Sequence, residues 1–342
     1  MRTRHGSMLP LVVVVLAMVS LLAAGLTTTA WRANSASVLS RGAQDISRAI
    51  DVAAASAVGA WAADSVAQRA IGVTVHRTNQ VVDAALVRTA WRRTHPLFAW
   101  LELDAAPQAS SATRTPRRHE RRAYWLRPPA ISVVGALTAS GMVEGEDGTT
   151  VVGADLAAPT TWCRGARATL TVPSIVAGDV AATPGRIWTL TPDWRAIVAT
   201  EQMAIGSAWS AVASLLPAQM VGSIAQSPIS DPEWRALRLE GDTVVLRGPM
   251  RWNGVLAVNG ILRVEGAAEI HGLLMTTRAL DASSAALVVH GAVIAGHSSS
   301  DRVRLSPSTR IQFDRCAVDL ALATIATPRA SPLGIRMPIG VW

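Results

Sequence analysis

From Met8 to Leu26 the chain is apolar apart from Ser20 and includes no charged residue. A helix rises about 1.5 Å per residue, so this run approaches the roughly 30 Å of a bilayer core. Pro10 falls in the first turn, where a helix tolerates it. Arg2, Arg4 and His5 precede the run and the polar stretch Thr27–Arg32 follows it. That asymmetry predicts a cytoplasmic N-terminus, with everything from Trp31 onward outside the membrane. Residues 1–31 therefore read as a basic cap and transmembrane anchor. A cleaved secretory signal is the competing reading, with Thr28 and Ala30 in the small-residue positions. The run exceeds the h-region of about 7–15 residues, which favours an uncleaved anchor.

The period then becomes helical and amphipathic. Leu39, Ala43, Ile46, Ile50, Ala53, Ala57 and Trp61 recur at spacings of three and four, opposite Arg41, Asp45, Arg48 and Asp51. Residues 32–66 are predicted to extend the anchor outward, with a break near Asn34–Ser37. From 67 to 235 the signals are mixed α/β. Ile71, Val73 and Val75 alternate with polar residues, Thr78–Gln80 can turn, and Val81–Thr94 can return as a strand. A loose stretch around Pro107–Pro116 leads into the basic run Arg117–Arg122, read as part of the same loop. Short Gly-linked strands follow over Ile131–Val152, then a loop that delivers Cys163. Thr191 and Pro192 are placed to start a helix that runs through Ile205, Trp209 and Val212 to Leu216. A Pro/Ser linker, Ser223–Pro232, comes next.

The section 236–325 is the most regular. Gly248, Gly254, Gly260, Gly266 and Gly272 fall six residues apart, and Leu246, Trp252, Val258, Val264 and Ile270 each lie two positions before one of them. Apolar residues returning at a fixed short interval, with glycine to turn the chain, are what stacked short strands need. An ordinary sheet of Gly-linked strands is the simpler alternative. Residues 326–342 form a tail. The fold class is thus α+β: a transmembrane helix extended into a long helix, then a β-rich extracytoplasmic region ending in a Gly-punctuated, β-solenoid-like section.

Composition narrows the chemistry. Half of the 342 residues are apolar and 16% are charged, which suits a packed core and argues against disorder. The net charge is +8, and all 32 basic residues are Arg. Without Lys there is no P-loop lysine, no Schiff base and no Ser-Lys pair. The two cysteines, Cys163 and Cys316, would lie in an oxidising compartment and are expected to pair; two free buried thiols are the alternative. Arg117, Arg118, Arg121 and Arg122, with Tyr124 and Trp125 just after, have three readings. They are a solvated loop, a membrane or partner contact, or a nucleic-acid contact in which arginines neutralise phosphates and aromatics stack on bases. No GxSxG elbow, HExxH, CxxC or phosphate-cradling GxGxxG is present. His271, His290 and His297, with Asp301 nearby, can gather on one face, but their spacing matches no metal motif. Glu144 and Glu146 read as solvated turn acids. No catalytic, cofactor-binding or metal residue is predicted, and the chain is expected not to be an enzyme.

The N-terminal series Arg4-His5-Gly6-Ser7-Met8-Leu9, the apolar span and the Ala-rich segment Asp51–Val58 together resemble type IV pilus-assembly proteins of the PilX-like kind. Gly241–Gly272, Phe313–Leu322 and the Trp162-Cys163 pair are similar to that family's distal region. The likeness covers about the first 65 and the last 100 residues. It implies prepilin-peptidase cleavage between Gly6 and Ser7, and partners in the bilayer and in other pilin-like subunits, met through the N-terminal helix. Pilins carry a Glu at the fifth mature position; here it is Leu11. That departure points to a minor or accessory subunit. A membrane-tethered solenoid scaffold or adhesion protein, and a membrane-anchored envelope hydrolase, are the alternatives.

Overall fold

The structure, a computed structural model, describes residues 8–61, 66–69, 71–77, 79–83, 85–108, 117–155, 171–182, 198–216, 218–220, 223–225, 234–329 and 336–338. The apolar run and the amphipathic stretch form one uninterrupted helix, α1 (Met8–Gly59), of 52 residues. The break expected near Asn34–Ser37 is absent. Polar residues there satisfy their hydroxyls within the helix: Thr27, Thr28 and Thr29 donate back to carbonyls of Ala23–Leu26, Ser35 to Trp31 O and Ser37 to Asn34 O. The buried stripe is shorter than its sequence pattern. Ile46, Ala49, Ile50, Ala53, Ala57 and, just past the helix, Trp61 are buried, whereas Leu39 is 54% exposed.

That stripe packs on an antiparallel sheet. Its strands are β1 (Thr74–His76), β2 (Gln80–Val82), β3 (Ala85–His95), β4 (Phe98–Pro107) and β5 (Arg118–Arg127). The order is β1-β3-β4-β5, and β2 also pairs with β3. Val87, Trp91, Leu101, Leu103, Tyr124 and Leu126 alternate toward α1 and are buried. Trp61, Trp91 and Tyr124 meet edge to face, with centroids 4.8 and 5.2 Å apart.

The rest of the chain builds a second core. It comprises β6 (Leu137–Gly145), β7 (Thr150–Val152), β8 (Ile175–Ala182), α2 (Val198–Leu215), β9 (Ala218–Met220), β10 (Ser223–Ala225), β11 (Arg235–Arg247), β12 (Met250–Val264), β13 (Ala268–Thr276), β14 (Leu280–Ala282), β15 (Leu287–Ala295), β16 (Arg302–Leu305), β17 (Arg310–Phe313) and α3 (Arg315–Ala323). All of its named strand pairings are parallel, with register shifts at Glu240/Thr243 between β11 and β12 and at Ala139/Met142 between β6 and β8, so the strands stack as rungs. Strands β9 and β10 lie on β11, then come β12, β13 with β14, and β15 with β16. Trp252 faces Ile270 and Ile270 faces Val289, so a rung here takes 18 or 19 residues, against 23 from β14 to β16 and 22 from β15 to β17. The six-residue glycine spacing is a third of the 18-residue rung.

The stack does not end where the sequence repeat ends. Strand β17 covers the start of β15, while β6, from far upstream, covers the end of β15 and all of β16. Strands β7 and β8 then lie on β17 and β6. The interior explains the fit. Leu256, Leu274, Val293, Leu137 and Ile175 form one in-register ladder across five rungs, all fully buried. Residues 137–155 and 171–182 thus belong to the solenoid rather than to a separate mixed region, and Ser223–Ala225 of the expected linker is a strand.

Glycines turn one corner of the coil. Gly254, Gly272 and Gly291 stack in register with φ of 123°, 129° and 147°. A Cβ on Gly291 would lie 1.8 Å from the Gly272 carbonyl oxygen, so no other residue fits. Helix α3 lies across β12, β13 and β15 with Val318, Ala321 and Leu322 buried, and Asp314 caps it by accepting from Ala317 N at 3.0 Å. The chain then returns to the first sheet. Ala326 is buried there, and β18 (Thr327–Pro328) and β19 (Arg336–Pro338) pair with β5.

Candidate functional site

Three surfaces carry the residues that the sequence singles out. The first is the free part of α1. From Val12 onward its large apolar side chains are at least half exposed, reaching 74% at Leu21. The helix is long and apolar enough to cross a membrane, and none of its most apolar window is buried. Gly6 and Ser7 lie outside the described residues.

The second is the arginine run, which is strand rather than loop. Arg118–Arg127 is β5, and strand alternation divides the charges between its faces. Arg122 points under α1, only 6% exposed in its side chain, and donates to Glu120 Oε1 at 2.7 Å and Asp51 Oδ1 at 2.5 Å. These partners, opposed first by burial, raise its pKa above the ordinary guanidinium value. Arg118 pairs with Glu120 at 3.3 Å and donates to Ser47, and Arg121 pairs with Glu102 at 2.9 Å. Arg117 is exposed. Four adjacent cations are thus not presented together. Most of their charge is met by acids on α1, β4 and β5 itself, and a solvated loop is excluded.

The third surface lies on the solenoid beside the glycine corner. The residue preceding each corner glycine points outward, and register aligns Asn253, His271, His290 and Gln312 across four rungs. Glu269, two positions before His271, projects from the same face of β13. His271 Nε2 meets Glu269 Oε1 at 2.9 Å, and the His271 and His290 rings stack with centroids 4.7 Å apart and 24° between planes. Arg251, one rung away, donates to Glu269 Oε2 at 2.7 and 2.9 Å. The hydrogen bond from His271, against burial and aided by Arg251, holds the Glu269 carboxyl below the usual carboxylate value. Burial, and then His271, push His290 below the usual imidazole value, against the pull of Glu269 and Asp314. The donor atoms of Glu269, His271 and His290 all lie within 4.8 Å of one another, and among the described residues this is the group able to share an ion.

His297 and Asp301 stand elsewhere. Asp301 Oδ2 accepts from the backbone N–H groups of His297 and Ser298 at 3.0 and 2.9 Å and closes a turn. The His297 ring lies against Gly206 of α2. Glu144 is bound by Arg302 and Arg304 across rungs. Glu269, which with His271, His290 and Asp301 is the set an enzyme reading would need in one pocket, joins the two histidines here, and Asp301 does not. The signal for that grouping is available once the rung length is known, because Glu-x-His followed 19 residues later by His stacks the three side chains.

Cys316, on α3, is disulfide-bonded. Its expected partner, Cys163, lies outside the described residues. Comparison with known proteins supplies no identity: no family model, no curated protein and no solved structure matches the chain.

Proposed function

We propose that the protein is a non-enzymatic, minor or accessory pilin-like subunit of a type IV pilus or a related filament. The N-terminus stays on the cytoplasmic side of the membrane and the two β cores lie on the other side. The observation that carries this reading is the division of α1. Its first part exposes an apolar surface that water does not tolerate, and its second part is fixed to an antiparallel sheet. Lipid covers such a helix before assembly and neighbouring helices cover it afterwards. Ala23, Ala24 and Gly25 leave room for close helix approach, and nothing lies within 4 Å of a Cβ added at Gly25. Leu11 in place of the pilin Glu fits an accessory role rather than that of the bulk subunit.

N-terminal sequencing of the mature protein tests this. A chain beginning at Ser7 supports pilin-type processing, and an intact Met1 supports a plain anchor. A cut after Ala30 removes the apolar anchoring part of α1 and eliminates the filament reading. The regular parallel stack favours a second reading, a membrane-tethered scaffold without a filament. A cross-linker placed at Leu22 separates the two, because only the filament subunit is trapped against other pilin-like helices.

A further inference from the structure

We infer that Glu269, His271 and His290 form a binding site for a divalent transition-metal ion of the zinc class, tying two consecutive rungs of the solenoid. The fold delivers the ligands. Glu269 and His271 sit at i and i+2 of β13 and share its outer face, and parallel register sets His290 of β15 directly beside His271. Their donor atoms lie within 4.8 Å of one another. A tetrahedral ion with bonds near 2.0–2.1 Å holds its ligand atoms about 3.3 Å apart. Small side-chain rotations on a fixed backbone close that difference.

The donor set selects the ion. Two imidazole nitrogens and one carboxylate oxygen suit zinc and its neighbours and are a poor set for Ca²⁺ or Mg²⁺, which take mostly oxygen. Three protein ligands leave a position for water, and all three residues are half-exposed, so the site is open to solvent. A surrounding shell is already in place. Arg251 occupies Oε2 of Glu269 and leaves Oε1 facing the imidazoles. The stacked, nearly parallel rings bring two imidazoles side by side without a hydrogen bond between them. Asn253 and Gln312 continue the outward row on either side. On binding, the His271 Nε2 proton is transferred through solvent to Nδ1, and the direct His271–Glu269 hydrogen bond gives way to two bonds to the ion.

The test uses the full chain in detergent micelles, without an affinity tag and stripped with EDTA. Zn²⁺ is titrated by calorimetry, and Co²⁺ is followed by its visible absorption. The expected result is one ion per chain with micromolar or tighter affinity and a Co²⁺ spectrum of mixed nitrogen and oxygen ligation. His290→Ala and Glu269→Gln should each weaken Zn²⁺ binding at least 10-fold with unchanged circular dichroism. His297→Ala, outside the cluster, should leave it unchanged. Absence of stoichiometric binding by the wild-type chain overturns the site. So does binding that survives the double substitution His271→Ala/His290→Ala. The wild-type titration decides the matter even if a variant fails to fold.

Discussion

Replacing Arg122 by Met is the sharpest test of what the arginine run does. If the run were a binding strip, removing one charge would weaken a partner and leave the fold intact. The structure requires the opposite. The Arg122 side chain is 6% exposed and lies between Glu120, 2% exposed, and Asp51 of α1, 56% exposed. Removing one partner of a fully buried ion pair costs about 3–5 kcal/mol, because the other charge stays out of water. Arg118 still reaches Glu120 at 3.3 Å, and Asp51 can turn to solvent. Those two facts bring the expected loss down to about 2–3 kcal/mol. Arg121→Ala is the control. Its bond to Glu102 is half in water, with side chains 43% and 24% exposed, and its loss should cost under about 1 kcal/mol. The double variant Arg122→Met/Glu120→Leu removes the stranded charge with its partner and should recover much of the loss. Urea unfolding of the full chain in micelles measures all four proteins. Tryptophan fluorescence reports on this core through Trp61 and Trp91, both buried in it. Equal stability of wild type and Arg122→Met, or a double variant no better than the single, would refute the reasoning.

Gly291→Ala should lose more than about 3 kcal/mol, combining a backbone region reserved for glycine with a clash against the Gly272 carbonyl, whereas Gly42→Ala, with open space around it on α1, should be neutral or gain up to about 1 kcal/mol; thermal denaturation separates the two. Burial alone would raise the Asp281 pKa, but the Ser283 hydroxyl and N–H, with Arg263 and Arg304, outweigh it and hold it below the usual value. Its stabilising contribution is therefore full above the unfolded value of about 3.9 and is lost as pH falls through the lower folded value. The stability gap between wild type and Asp281→Asn should accordingly close below about pH 4, read from denaturation midpoints across pH. Peptide mapping without reductant should find Cys316 linked to Cys163, and reduction should lower the unfolding temperature, the constraint on a loop of this length being of order 4–5 kcal/mol.

The elements that sequence reasoning located are those whose signal is local. The apolar run announced α1, and the three-and-four spacing located Ile46, Ile50, Ala53, Ala57 and Trp61 on its buried face. The same pattern at Leu39 and Ala43 misled, because periodicity shows which face is apolar and not where the partner sheet ends. The glycine repeat signalled stacked strands but gave the wrong unit, six residues for a rung of 18 or 19. A second signal lay unused. Arg247–Glu265, Arg251–Glu269 and Arg263–Asp281 are opposite charges spaced by 18, and each pair bridges adjacent rungs at 3.2, 2.7 and 3.5 Å. That spacing fixes the rungs from β11 to β14; the step from β13 to β15 is one residue longer and sets His271 beside His290. Strand β6 could not be found this way. It joins the stack through Leu137–Ala139 on β15 and Met142–Gly145 on β16, and such a non-local pairing leaves no periodic trace. The arginine run looked like a loop because charge density was weighed above alternation, although Glu120, Arg122, Tyr124 and Leu126 already alternate inward.

The same long-range contacts tie the anchor to the solenoid. The chain leaves the first sheet after Arg127 and returns to it at Thr327, so the whole stack is inserted between two neighbouring residues of one sheet edge. The return segment does not hang from the sheet by β18 alone. Trp61 Nε1, at the end of the α1 packing face, donates to Ala326 O at 2.8 Å. Arg93, buried under the sheet with its pKa lowered to about 10 by burial, donates to the Ala67 carbonyl, to Pro96 O at 2.8 Å and to Ala323 O at 3.3 Å at the end of α3. A cation is favourably placed there, since the last carbonyls of a helix carry partial negative charge. Helix α3 in turn covers the rungs that hold His271 and His290. Tilting α1 against the stack would therefore strand a buried guanidinium and an indole N–H, a cost several times thermal energy. The direction in which α1 leaves the sheet sets the direction in which the outward row of Asn253, His271, His290 and Gln312 faces.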